Sequence, residues 1–578
     1  MHIEKNVHVF YNQAIKNKRE VKMTMKRKMI AAGTIISMLM AQSVFAEEAS
    51  FYGYDDPVTV KVGLSSTGMD YFGGETAEEN SWTKLYSEHN IQLDVLYDVD
   101  GSQADTKLAA AIMSGEYPDI IKTGSNGYVN YVDGGVVADI TDVLDEYASD
   151  DLKEYLNTDG GLAMSCLKVD GRLYGLPKMS SSYDSVSLMF IRKDWLDRLG
   201  LEVPTTMEEL KEVAHAFTYD DPDGNGENDT YGLAVSGVSV LAGNTGDASA
   251  IFDGFGAYLG TTGMAIVKDA DGNVTWGGTN SDGMKSALTF LRDLYEDGSL
   301  ASDFITMTTS NVAEDAGAGR CGIWFAPMWG AMGPQWDAIQ NDPDAHIICA
   351  AVPNGLGQGV SKSFLPVAFD GVYCVSSQCE NPELLIKLMN LSVHYLCHPE
   401  STEEYYKYYG DYENYTGWKL CLTPTLEPLK NYDCYLAMPQ ALETRDTSAL
   451  NPYQLDIYNS LITYLDAKED GTFQTSDSTF QGPIGRYTVY GDPEGAYAVL
   501  DEMIKEDRFV HSAYDAPLTD EQADVSATLQ KMTIETIVKI ITGSEDVEYY
   551  DTFLDTWMAN GGETYLNDVQ EWIAENPQ

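Results

Sequence analysis

Val58-Thr59-Val60-Lys61-Val62 alternates apolar and polar side chains directly after Pro57, the two-residue period of a strand with one buried face. Downstream, Asn80 to Asn90 reads as a helix and Ile91 to Tyr97 alternates again. Ala104 to Ser114 reads as a second helix, closed by Gly115 and followed by Pro118 and the apolar pair Ile120-Ile121. This β-α-β-α-β order needs crossover connections, so the expected fold is α/β, with a largely parallel sheet and helices on its faces. A similar unit begins near Ser185. Val186, Leu188 and Phe190 alternate, and Trp195, Leu196 and Leu199 form a short helix ended by Gly200. Thr205 or Thr206 caps the next helix, Glu208 or Glu209 completes a capping box, and Leu210, Val213, Ala214 and Phe217 recur at helical spacing. Gly322 to Phe325 reads as a buried strand, Pro382 to Leu396 as a helix, and the chain beyond Glu403 as mostly helical. At 578 residues the chain exceeds one hydrophobic core, yet no Pro- or Ser-rich linker divides it. Interleaved lobes are expected.

The first residues differ from the rest. Lys22, Lys26, Arg27 and Lys28 precede an apolar run from Met29 to Ala41, and Val44-Phe45-Ala46 precedes Glu47-Glu48, the pattern of a secretory signal peptide over 1–46. Residues 1–24 lie upstream of Met25, a normal start in its own right. They are either a start assigned too far upstream or a long basic leader. Removing 1–46 takes away eight Lys/Arg and two Asp/Glu, so the net charge of −54 becomes −60. Such acidity repels phosphate backbones and anionic lipid heads, and no nucleic-acid partner is expected. The eight cysteines lie between Cys166 and Cys434 without any Cys-x-x-Cys pair, and their pairing is not legible. No cysteine follows the cleavage site, so a lipid tether is unsupported. The expected location is extracellular or cell-surface associated, periplasmic in a Gram-negative cell.

Asp221-Pro222-Asp223-Gly224-Asn225-Gly226-Glu227-Asn228-Asp229 places oxygen donors at alternate positions of a Gly-rich loop. A calcium ion takes six to eight oxygens. Asp221, Asp223 and Asn225 would supply side chains, Glu227 its carbonyl, and Asp229 a direct or water-mediated ligand, with Gly226 at the sharp turn. Gly232 stands where a bidentate Glu would complete an isolated calcium sensor. The expectation is structural Ca2+; the plainer alternative is an Asp/Asn/Gly turn without metal.

His394 and His398 are four apart, but no Glu follows His394, and a helix-end pair is the ordinary reading. Nucleophile elbows, phosphate loops and dinucleotide fingerprints are absent: Gly254-Phe255-Gly256-Ala257-Tyr258-Leu259 has Leu in place of the third glycine. No catalytic residues are expected. The 37 Tyr and 9 Trp offer flat faces for sugar rings, although most should pack cores or surfaces. Tyr405-Tyr406-Lys407-Tyr408-Tyr409 reads as a solvated helix face.

Several stretches together resemble the extracellular solute-binding proteins of family 1, especially the large branch of Gram-positive and alginate-binding members. They are Lys107-Leu108 through Gly115-Glu116-Tyr117-Pro118-Asp119-Ile120, Leu173-Tyr174-Gly175-Leu176-Pro177, and Phe190-Ile191-Arg192-Lys193-Asp194-Trp195-Leu196-Asp197-Arg198-Leu199-Gly200-Leu201. The calcium loop, Asn381-Pro382-Glu383, Phe553 to Trp557, Gly561-Gly562 and Val569 to Trp572 follow in order. The resemblance implies a two-lobed periplasmic-binding-protein fold, type II-like, with a hinge, an interlobe cleft and extra C-terminal helices. It implies an N-lobe over 57–178 and 331–398 and a C-lobe over 179–330 and 399–578, with crossings near Pro177, Gly330 and His398. It also implies a monomeric, non-enzymatic subunit of an ABC importer that captures an oligosaccharide and delivers it to membrane permease subunits. The implied cleft residues are Ser125, Asn126, Ser181, Tyr183 and Trp329, with Trp82 at the start of the first helix. The competing readings are a secreted calcium-containing carbohydrate-active enzyme and a same-fold receptor or sensor for a peptide or other polar solute.

Overall fold

A computed structural model describes residues 51–575, apart from 68, 70, 72–73, 242, 270, 358–359, 411–415 and 517. The expected leader, 1–46, lies outside the described residues. Strand β1 (Val58–Leu64) pairs in parallel with β2 (Ile91–Asp98) across helix α1 (Ser81–Glu88). Asn80 caps α1: its side chain accepts from the Thr83 amide while the Thr83 hydroxyl accepts from the Asn80 amide. Helix α2 (Ala104–Ser114) ends at Gly115, whose φ of +81° is the left-handed cap glycine favours. Strand β3 (Ile120–Thr123) and helix α3 (Ser125–Asp133) follow, and β4 (Leu176–Met179) closes this part of the chain. Asp119 joins β1 to β3. Its amide donates to the Lys61 carbonyl at 2.8 Å and its carboxylate accepts from the Lys61 amide at 2.7 Å.

The chain then enters a second sheet through β5 (Leu188–Arg192), α4 (Lys193–Leu199), α5 (Met207–Tyr219), β6 (Tyr231–Ala234), β7 (Cys321–Ala326) and β8 (Ile347–Ala350), in the strand order β8-β5-β7-β6. Thr206 and Glu209 form the capping box of α5. The return strand β9 (Phe369–Val375) sits between β3 and β4, α6 (Leu384–Cys397) packs on it, and α7 (Thr402–Tyr408) packs on α6 and α1. Helices α8 (Lys430–Thr444), α9 (Ala496–Lys505), α10 (Asp520–Ile541) and α11 (Tyr549–Trp557) complete the second lobe.

The sheets are mixed rather than largely parallel. β9 runs antiparallel to β3 and β4, and β5 antiparallel to β7 and β8, whereas β1–β2 and β6–β7 are parallel. The antiparallel strands are the first to enter each sheet after a passage between lobes, and no βαβ crossover dictates their direction.

Two hydrophobic cores correct the expected lobe boundaries. Ala331, Trp336, Ile347, Ile348 and Cys349 belong to the second core, because β8 adds to the edge of β5 instead of leaving the lobe near Gly330. Tyr405, Tyr408, Tyr409 and Cys421 belong to the first core, so the chain does not cross at His398. The tyrosine run is therefore a mostly buried face, with Tyr406 and Lys407 exposed.

All eight cysteines are free; six are buried and Cys379 and Cys397 are half-buried. Among the described residues no helix is long and apolar enough to cross a membrane. The C-terminal helices are anchored by Trp557, fully buried and stacked on Trp276 at 4.1 Å between ring centroids. Trp557→Ala is expected to cost about 3–5 kcal/mol through lost burial and the cavity left behind. Denaturant unfolding followed by circular dichroism checks this, and a loss below about 1 kcal/mol would mean the stack is not structural.

Candidate functional site

Three segments connect the cores. The first runs over Ser180–Ser185, the second over Pro366–Ala368 and the third over Leu426–Leu429. The Ser180 amide donates to the Ala368 carbonyl at 2.8 Å, which binds the first crossing to the second. Asp184 binds the first to the third: its carboxylate accepts from the Asn431 amide group at 2.7 Å and from the Tyr497 hydroxyl. Burial raises the Asp184 carboxyl above the usual carboxylate range. The Val367 amide donates to Asp515 at 3.3 Å, so the second crossing is also tied to the segment preceding α10.

Beside these crossings, at the carboxyl ends of β1 and β3, lies a cavity of about 470 Å³. Ser65, Ser66, Tyr97, Lys122, Thr123 and Asp370 line it, with Lys419–Leu422 opposite. Asp370 stands two residues past the second crossing, so the cavity adjoins the hinge. Strand ends are the usual ligand face of α/β sheets because loops there are free of pairing and helix N-termini converge on it. Asp98 fixes Ser66 by accepting from both its amide and its hydroxyl, at 2.8 and 2.7 Å.

The expected cleft residues are placed unevenly. Ser125 and Asn126 open α3 directly beyond Thr123 and Gly124 of the cavity wall. Ser181 is half-buried on the first crossing, where its hydroxyl accepts from the Asp184 amide at 3.3 Å. Tyr183 packs its ring 5.5 Å from Phe509 and 6.3 Å from Tyr432, on the second-lobe side of the hinge. Trp329 follows β7 in a tight turn and is 39% exposed. Trp82 is corrected to a core residue. It is fully buried, donates its indole N–H to the Tyr408 carbonyl at 3.2 Å and packs edge-on against Tyr408 and Tyr395, while its neighbours Asn80 and Thr83 line the cavity. Lys122, Asp370 and Lys419 carry no motif and were not legible, because the cavity is assembled from segments about 60 to 300 residues apart.

In the acidic loop, Asp221 holds a φ of +51°, and Gly224 and Gly226 are also left-handed. The Asn225 amide nitrogen donates to Asp223 at 2.8 Å and to Asp229 at 3.2 Å, while its oxygen accepts from the Glu227 amide at 2.6 Å. One Asp221 carboxylate oxygen accepts from the Gly226 amide at 3.1 Å; the other is buried without a partner among the described residues. Burial and the facing Asp221 and Asp229 raise the Asp223 carboxyl. Among the described residues no group of three or more His, Cys, Asp or Glu is gathered for a metal, at His394 and His398 or elsewhere.

Residues 65–390, more than half of the chain, match the family of the bacterial extracellular solute-binding proteins. The chain belongs to that family. It is 29% identical over 242 residues to the polygalacturonan/rhamnogalacturonan-binding protein YtcQ of Bacillus subtilis, covering 41% of this chain and 45% of that one. It is 32% identical over 198 residues to the fructooligosaccharide ABC transporter substrate-binding protein FusA of Streptococcus pneumoniae, covering 32% and 35%. The matches thus span about half or less of these relatives' own length. Solved structures share the two-lobed fold. An "HMO binding ABC-transporter associated" solute-binding protein of Bifidobacterium longum infantis has a TM-score of 0.58 at 17% identity, covering 90% of this chain and 99% of that one. A FusA EF-hand mutant in complex with fructo-nystose has 0.55 at 18%, with the same coverage.

The Asp515 carboxyl is pushed up to about 6 by burial. Because the folded value exceeds the unfolded one of about 3.9, the stability it contributes is complete below the unfolded value and is lost as pH rises through the folded one. Wild type is therefore expected to lose melting temperature between pH 4 and 6.5 relative to Asp515→Asn, measured by scanning calorimetry. Parallel profiles would exclude Asp515 as the cause.

Proposed function

We propose that this chain is the ligand-capturing subunit of an ABC importer, holding an oligosaccharide between two lobes that close about three crossings. The observation that carries the reading is the cavity at the strand ends of the first lobe, bounded by Asp370 at the hinge. Each lobe has its own core and can move as a body, and a ligand touched by both lobes favours the closed state. Ser181 and Tyr183 would face the ligand from the crossing and Trp329 from the second lobe, with the backbone of Ser125 and Asn126 at the cavity rim. The printed ligands of YtcQ and FusA are both saccharides, which supports this class. The chain would act as an exported monomer beside membrane permease subunits, without turnover of the sugar and without a nucleic-acid partner.

The acidic loop fits a structural calcium ion. Its donors are hard oxygens, one Asp221 oxygen is buried without a geometric hydrogen-bond donor among the described residues, and the Asn225 amide nitrogen stands between carboxylates. Asp221, Asp223, Asn225, Glu227 and Asp229 would hold it, and the ion would brace the connection between α5 and β6.

Calorimetric titration with a panel of oligosaccharides, paired with chromatography of the same mixtures, tests the main reading. Saturable heat without cleavage products is expected, and product formation would overturn it. Trp329→Ala is expected to weaken binding about tenfold or more through loss of an aromatic platform, with melting unchanged; unaltered affinity removes Trp329 from the site. For the ion, chelation should lower the melting temperature and calcium should restore it, a response that Asp223→Ala abolishes. Melting indifferent to both treatments would leave the loop a plain turn.

A further inference from the structure

Beside the three crossings the lobes touch again. Helix α7 of the first lobe lies against the second-lobe helix Pro452–Glu469, and the contact closes around Lys430, the first residue of α8. The Lys430 ammonium stands 5.4 Å from the ring centroid of Tyr409, the C-cap of α7, and 4.4 Å from that of Tyr453, and it donates to the Tyr409 hydroxyl at 2.9 Å. Tyr409 is buried in the first core, whereas Tyr453 packs against both cores. The Tyr453 ring lies 6.3 Å from that of Tyr409 and 6.5 Å from that of Tyr405. Its hydroxyl donates to the Asn431 side-chain oxygen at 2.6 Å, and the Asn431 amide group donates on to Asp184. Nearby, the Tyr406 hydroxyl donates to Asp456 at 3.1 Å, and Arg486 pairs with the same carboxylate at 3.1 Å.

The cavity shows which lobe arrangement this contact belongs to. Every residue lining the first-lobe cavity belongs to the first lobe, so among the described residues no second-lobe side chain covers it. Trp329 of the second lobe is correspondingly exposed. The cleft is open in this arrangement, and the contact is complete in it: the Lys430 cation has two ring faces and a hydroxyl, and Tyr453 and Tyr406 each have an acceptor. Cation–π attraction and hydrogen bonds both weaken steeply as partners separate or tilt. Rotation about the crossings displaces α7 against Pro452–Glu469, and a network already satisfied has only contacts to lose.

We propose that the Lys430–Tyr409–Tyr453 contact is a latch that holds the lobes apart in the ligand-free protein and thereby sets the affinity for ligand without touching it. None of the three residues lines the cavity. The proposal rests on the reading of the protein as a two-lobed receptor and adds the element that fixes its resting equilibrium. A ligand that selects the closed arrangement has an apparent dissociation constant equal to the intrinsic one divided by the closed fraction. Loosening the latch raises that fraction. Lys430 and Tyr453 are thus positioning residues, and their removal tightens binding, the opposite of what damage to a binding residue or to the fold would do.

Small-angle X-ray scattering of the ligand-free protein reads the resting arrangement, and calorimetric titration with kestose and with trigalacturonate reads affinity. Lys430→Met keeps an unbranched stem and removes the charge; it should lower the radius of gyration and tighten whichever probe saturates the wild type by about three- to tenfold. Tyr406→Phe, at an exposed position, should act in the same direction to a smaller extent, and the double variant should exceed either. Lys430→Arg retains the cation and should stay near wild type. Circular dichroism melts establish that each variant is folded. A radius of gyration that is unchanged or larger in folded Lys430→Met and Tyr406→Phe proteins would overturn the proposal, as would unchanged or weaker affinity for a probe that binds the wild type. Binding of neither probe would count against the receptor reading, while the scattering alone still decides the latch.

Discussion

Asp184 holds the two lobes in register. Its buried carboxyl accepts from Asn431 at the start of α8 and from Tyr497 on α9, so the first and third crossings meet at one side chain. Removing the acceptor would leave two donors in a dry site, at a cost of about 1–3 kcal/mol each. The second crossing is bound to the first by the Ser180–Ala368 hydrogen bond. Rotation is thereby confined to a few backbone torsions, and Pro366 and Pro428 fix one torsion each in the second and third crossings.

The local elements were legible because their signals are local. The helix over Ala104–Ser114 and the Thr206–Glu209 capping box follow from periodicity and caps. Strand direction was not, since β5 and β9 acquire their antiparallel neighbours from segments that arrive after long excursions. The same cause misplaced the crossings. Ile347-Ile348-Cys349 could pack against either sheet, and only its pairing with Leu188–Arg192 assigns it. At the site, the family resemblance implied Trp82 as a cleft residue, but N-terminal turns present one side to the cavity and the other to the core. Trp82 points inward, and Asn80 and Thr83 take the outward side.

Charge is distributed against the average of the chain. An excess of acid keeps the outer surface hydrated, and it also raises the cost of bringing any anion near. At the first-lobe cavity the lining charges balance locally, with Lys122 and Lys419 beside Asp105 and Asp370. β9 lies between β3 and β4, so Lys122 and Lys178 stand on the two strands flanking it, and Asp370 on β9 pairs with Lys178 at 2.9 Å.

The eight unpaired cysteines set a chemical condition on a chain whose family is extracellular. Six are buried, and burial raises Cys374 and Cys434 far above the ordinary thiol range and Cys379 to about 11. Attack on an oxidant requires the thiolate, which these environments suppress. The native state thus shelters its own sulfur. In the folded chain, packing rather than covalent bracing holds the eight cysteine-bearing segments in place.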